Sequence, residues 1–132
     1  MAWAGNGSGD GATLQVVSVG TRGASVLVSW QDFQAFLPLG MEVSQIAWLE
    51  QNPLPGLEVL MLADSGYRPL NPPNWLEAMD AELYWLTADG TLADELQQVF
   101  SERVLMPASS LGWLQVETDG HSMWVRSEHH WP

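Results

Sequence analysis

The sequence predicts an α/β (α+β) fold: a mixed β-sheet with about three helices on one face. Two observations carry this. Strand-length apolar segments, "TLQVVSV", "ASVLVSW", "FQAFLPL", "GLEVLML" and "AELYWLTA", recur between turn signals, and from residue 41 onward they alternate with helical periodicity. In addition, "SVLV", "LEVLML" and "LYWL" are apolar at consecutive positions, a pattern of strands covered on both faces.

The elements follow in order. Residues 1–11 are rich in Gly and are expected to form a flexible N-terminus, with one domain over 12–127 and a tail at 128–132. A first strand at Thr13–Val19 closes on the turn "GTRG", Gly20 to Gly23. "ASVLVSW" and "FQAFLPL" form a β-hairpin turning at Gln31-Asp32, and Pro38 puts the end of the second strand at a bulge or an edge. "MEVSQIAWLEQN" spaces Val43, Ile46, Ala47 and Leu49 as one helical face and stops before Pro53. "GLEVLML" is a strand, and "NPPNWLEAM" opens a helix with prolines in its first turn. "AELYWLTA" is the next strand. "DGTLADELQQVF" holds a third helix, with Thr91 as a cap and acids in its first turn. "RVLMPA", "LGWLQVETDG" and "HSMWVRSE" read as strands, the last two joined by the turn "TDGH". Three helices cover one sheet face. The other needs a second sheet, another chain, or the terminal strands folded back.

Composition narrows the function. The chain has 132 residues, 46% of them hydrophobic, enough for one buried core. Sixteen acids face four Arg (Arg22, Arg68, Arg103, Arg126) and no Lys, a net charge of −12. Nucleic-acid binding needs clustered cations, so neither a nucleic acid nor an anionic membrane surface is an expected partner. No apolar run reaches the roughly 20 residues of a membrane span, and no signal peptide is seen, so a cytoplasmic location is expected. The absence of Cys removes disulfides and thiolate chemistry.

Candidate chemistry is sparse. His121 lies in a turn and His129 and His130 in the tail, where ligands lack a rigid frame, so no metal or other cofactor is expected. "ADSGY", Ala63 to Tyr67, is not a nucleophile elbow, and no His lies near Ser65 in sequence. The acid pairs Asp80/Glu82 and Asp94/Glu95 are ordinary at this acidity, and Asp94 and Glu95 suit a helix start. The glycines of "GNGSGDG" precede a strand and carry no Lys, so they make no phosphate loop. Of the eight Trp (3, 30, 48, 75, 85, 113, 124, 131), Trp75 and Trp85 sit in core patterns and Trp3 and Trp131 are terminal; exposed ones could form a stacking platform.

The order of segments resembles the C-terminal half of the metallo-β-lactamase fold, closest to the hydrolase-like domain of ComEC-type competence proteins. "ASVLVSWQDFQAFLPLGM" has the shape of that family's hairpin, with Gly40 kept and Met41 where the family has a metal-bridging Asp. "LMLADSGYRPLNPPNWLEAM" runs through its next pattern without a gap. Gly66, Pro73 and "WLEAM" match, while Asp64 and Ser65 stand at two His positions. "LQVETDGHSMWV" resembles the closing hairpin, and the family's Gly-His-Pro is replaced by "DGTLADEL". The match covers roughly residues 9–127 and implies half of an αββα sandwich.

In that family two metal ions activate a water for hydrolysis of a phosphoester or similar bond. The first ligand cluster belongs to the half that this sequence does not match, and Met41 cannot replace a bridging carboxylate. Asp64 alone is one ligand, not a site. The resemblance therefore implies a catalytically inactive half domain, not an enzyme, acting as a structural or protein-interaction module. Its open sheet face would be covered by a second copy or another subunit. Two alternatives stand beside it: the scaffold half of a split metal-dependent hydrolase of phosphodiesterase or nuclease type, and a Trp-based carbohydrate-binding module.

Overall fold

The structure, a computed structural model, describes residues 2–4, 11–54, 56–87, 92 and 94–130. Seven strands form one mixed sheet whose spatial order is the order along the chain. β1 (Ala2–Ala4), β2 (Thr13–Val19), β3 (Ala24–Trp30) and β4 (Phe33–Leu39) run antiparallel, each beside the last. β5 (Val59–Met61), β6 (Leu83–Leu86) and β7 (Val104–Pro107) continue from β4 in parallel. Parallel neighbours need crossovers, supplied by α1 (Val43–Gln51), α2 (Pro73–Met79) and α3 (Asp94–Val99). Because crossovers keep one hand and the sheet grows in one direction, all three helices reach the same face. The main core there joins Ile46, Leu49, Trp75, Leu76, Leu96 and Val99 to the strand residues Leu27, Phe36, Leu60 and Tyr84.

The opposite face is partly covered from within the chain. A two-stranded hairpin, β8 (Leu114–Thr118) and β9 (Met123–Ser127), forms a separate sheet. Its Val116, Met123 and Val125 pack against a second core of Phe33, Ala35, Val59 and Leu83. The terminal strands therefore fold back over this face, one of the three covers the sequence allowed. The hairpin is pinned at its tip. The Asp32 N–H donates to the Gly120 carbonyl (2.8 Å), and His121 Nδ1 lies 2.7 Å from Asp32 Oδ2. Gln31 takes φ 52°, the positive value that a tight two-residue hairpin turn demands at its first position.

Several elements differ from the sequence reading. Ala2–Ala4 pairs with Thr13–Gln15, so part of the stretch read as a flexible N-terminus adds an edge strand. β5 is only three residues long. It pairs with β4 at Ala35 and Phe36 alone, which leaves Pro38 beyond its end, where a missing N–H costs no ladder bond. A short helix, α4 (Ala108–Leu111), stands between the segments read as strands. The tail stays tied as far as His129, because the N–H groups of Glu128 and His129 bond to the carbonyls of Trp113 and Leu111. Thr91, Trp131 and the run at 5–10 lie outside the described residues, as does the Trp3 side chain. Among the described residues no helix is long and apolar enough to cross a membrane.

Tyr84 joins the end of α2 to β6. It is fully buried, donates to the Leu76 carbonyl (2.7 Å) and accepts from the Ala81 N–H (3.1 Å). Burial raises its pKa above the usual tyrosine value. The unfolded chain therefore ionises first, at about pH 10. The stability this group contributes is complete below that pH and is lost as pH rises through the higher folded pKa. Tyr84→Phe should cost about 1–2 kcal/mol at pH 7 through its lost hydrogen bonds. It should also flatten the fall in stability above about pH 10. Urea unfolding at both pH values measures each effect, and equal alkaline slopes in the two proteins would contradict the assignment.

Candidate functional site

In open α/β sheets ligands gather outside the carboxyl ends of the parallel strands. Here those ends carry Met41 after β4, Asp64 and Ser65 after β5, and the chain leaving β6 after Leu86. Gly40 is needed at the first of them: its φ is 88°, and a Cβ there would lie 2.5 Å from the Arg22 carbonyl oxygen. The turn is fastened beside it. The Glu42 carboxylate accepts from the Thr21 N–H (2.8 Å) and from the Thr21 hydroxyl, and the hydroxyl bond above all holds its pKa below the usual carboxylate value. Gln45 Oε1 accepts from the Glu42 N–H (2.7 Å) and starts α1.

Met41 turns inward. It is 3% exposed and belongs to the main core, so its thioether serves packing. The loop after β5 has an unusual backbone. Asp64 (φ 42°, ψ 53°), Ser65 (φ 54°, ψ 35°) and Gly66 (φ 84°) are successive residues on the left-handed side, in a single 3₁₀ turn over Ala63–Gly66. Non-glycine residues avoid this region at about 1–2 kcal/mol each, so something outside the turn must hold it.

That something is Asn71, which sequence reasoning passed over. It is fully buried, and its Oδ1 accepts from the Ala63 N–H (2.9 Å). Its Nδ2 donates to the carbonyls of Ala63 (2.9 Å) and Tyr67 (2.7 Å). One side chain thus closes the loop onto the chain entering α2. The signal in the sequence was an amide set between Leu70 and two prolines, Pro72 and Pro73. The loop is also tied outward, by Arg68 Nε to Glu95 Oε2 of α3 at 2.6 Å.

The interior beside the turn is apolar. A Cβ on Gly66 would lie 2.6 Å from Leu92 Cδ2 and 3.2 Å from Leu86 Cδ1, so leucines fill the space beneath the turn. Asp64 is exposed and Ser65 half-buried. His121 sits at the amino end of β4, a strand length away, about 20 Å by strand geometry. Tested against a two-metal hydrolytic group, these residues do not fit. The position that the resemblance would match to a bridging ligand holds a buried thioether, the two other matched positions hold one carboxylate and one hydroxyl, and leucine packs against the turn. Among the described residues no three His, Asp or Glu side chains gather as a metal site. Met41, Asp64 and Ser65 therefore share one end of the sheet, and among the described residues they do not gather as a ligand set.

Asn71→Ala should destabilise the protein by about 2–4 kcal/mol, because it leaves the buried Ala63 N–H without its Asn71 partner and removes the bonds to the Ala63 and Tyr67 carbonyls. Ser65→Gly should act the other way, by about 0.5–1 kcal/mol, by relieving a left-handed non-glycine residue. Urea midpoints measure both, and a neutral Asn71→Ala would remove its assigned role.

Comparison with known proteins finds no matching family model, no matching curated protein and no matching solved structure.

Proposed function

We propose that this chain is a metallo-β-lactamase-like half domain without hydrolytic chemistry, working as a structural or protein-interaction module. The observation that carries the reading is the packing at the resembled ligand positions. Met41 is part of the core, and Leu92 and Leu86 press on Gly66 beneath the turn of Asp64 and Ser65. The turn keeps its form through Asn71, an interior bond that serves the fold whether or not a metal is bound.

The interaction role is supported by the part of the sheet that the terminal hairpin leaves open. Alternation along the strands puts Leu37, Leu39, Met61 and Trp85 on the hairpin's side of the sheet, outside the second core. Leu39 is 51% exposed, and the other three are only partly buried. A contiguous apolar row beside an acidic surface is a site for another protein surface. A second copy or another subunit would cover it.

Light scattering at micromolar concentration tests the association. The expected mass exceeds the 14.6 kDa of one chain and returns to it in Leu39→Glu/Met61→Glu. A wild-type monomer that also fails to bind an apolar-surface dye would sink the reading. Calorimetric titration with Zn²⁺ or Mn²⁺ tests the chemistry. No stoichiometric binding is expected, and binding that Asp64→Ala abolishes would favour a hydrolase scaffold instead.

A further inference from the structure

The outer face of the β8–β9 hairpin presents a pattern that neither the core nor the sheet interface uses. Strand alternation turns Leu114, Val116 and Thr118 inward, with their partners Ser127, Val125 and Met123. The outward row is then Trp113, Gln115 and Glu117 on one strand and Trp124, Arg126 and Glu128 on the other. Trp113 is 53% and Trp124 51% exposed. The pairing of Glu117 with Trp124 sets the two indoles at opposite ends of the hairpin, about 14 Å apart by strand geometry. Between them lie hydrogen-bonding groups already held in place. Gln115 Nε2 donates to Glu117 Oε1 (2.7 Å), and Arg126 Nη2 lies 3.4 Å from Glu117 Oε2.

We propose that this strip binds a linear, uncharged oligosaccharide laid along the hairpin. An apolar ring at each end and a short polar row between them match a chain of pyranoses, which has C–H faces for stacking and hydroxyls at its edges. Indole offers large apolar area at small conformational cost, and the Gln115–Glu117–Arg126 row offers donors and acceptors fixed by each other. The dimensions favour this occupant over a folded protein. Two five-residue strands about 4.8 Å apart, with Trp113 and Glu128 just beyond their ends, make a strip of roughly 10 by 20 Å. A stable protein interface takes about 800 Å² from each partner. Charge narrows the ligand further, because a chain of net charge −12 repels acidic glycans. The strip is separate from the open sheet face, so this inference does not depend on the association proposed above.

The test is native affinity electrophoresis of the whole chain in gels containing barley β-glucan, xyloglucan or hydroxyethylcellulose, with cellohexaose as the soluble competitor. At least one polymer should retard the protein, and cellohexaose should reverse this. Trp113→Ala and Trp124→Ala should each weaken binding by about tenfold, and the double variant should abolish it. Trp48→Ala, at an equally exposed indole on α1, should bind as the wild type does. Circular dichroism confirms that each variant is folded, and Trp113→Phe/Trp124→Phe, which keeps two rings, should retain part of the binding. No retardation by any of the three polymers would overturn the proposal, as would retardation unchanged in the double alanine variant. Loss of tryptophan quenching by decaproline in that variant, without glycan binding, would reassign the strip to proline-rich peptides.

Discussion

The constraint on which this structure depends is that its central strands are apolar on both faces. β4 shows it most plainly: Phe36 points into the core under the helices, and Phe33 and Ala35 into the core under the hairpin. A sheet of this kind is stable only when two further layers cover it. The chain builds the first layer from the crossovers that parallel pairing requires. It builds the second by returning its last strands across the sheet. Each crossover helix is short, six to nine residues, and gains its stability from the stripe it buries rather than from its own propensity.

Covering the second face makes the two ends of β4 different. At its amino end the β3–β4 turn is locked to the β8–β9 turn through Asp32, Gly120 and His121, and Gln31 accepts a left-handed conformation to make that turn. At its carboxyl end Leu37 and Leu39 lie outside the second core, with Leu37 partly buried and Leu39 exposed. The same end carries the turn at Asp64 and Ser65. Openness and backbone strain thus meet at one edge of the fold, where α/β sheets keep their ligands.

That turn is held by packing and by hydrogen bonds to the backbone. Its shape needs three left-handed residues, a glycine beneath which leucine packs, and one buried amide bonding three backbone groups. None of these requirements involves a metal ligand. A substitution at Asp64 or Ser65 changes the chemistry of the loop and leaves Asn71 to hold it, so the two properties can vary separately.

Period and punctuation alone determined the mixed sheet, the three crossover helices and both hairpin turns, because each is a local pattern. Pro53 ends α1, the prolines at 72 and 73 start α2, and Asp119-Gly120 turns the last hairpin. The sequence also determined that both faces of the central strands needed cover. Only the tertiary structure decided what covers the second face, because inward and outward sides of β8 and β9 acquire meaning once the hairpin lies on the sheet. It likewise decided the role of Asn71, which is polar in the sequence yet wholly buried, since its three partners come from a turn up to eight residues away. The sequence set Trp75 in a core pattern, where it lies, and left Trp113 and Trp124 open; the register of the last hairpin turned those two toward solvent.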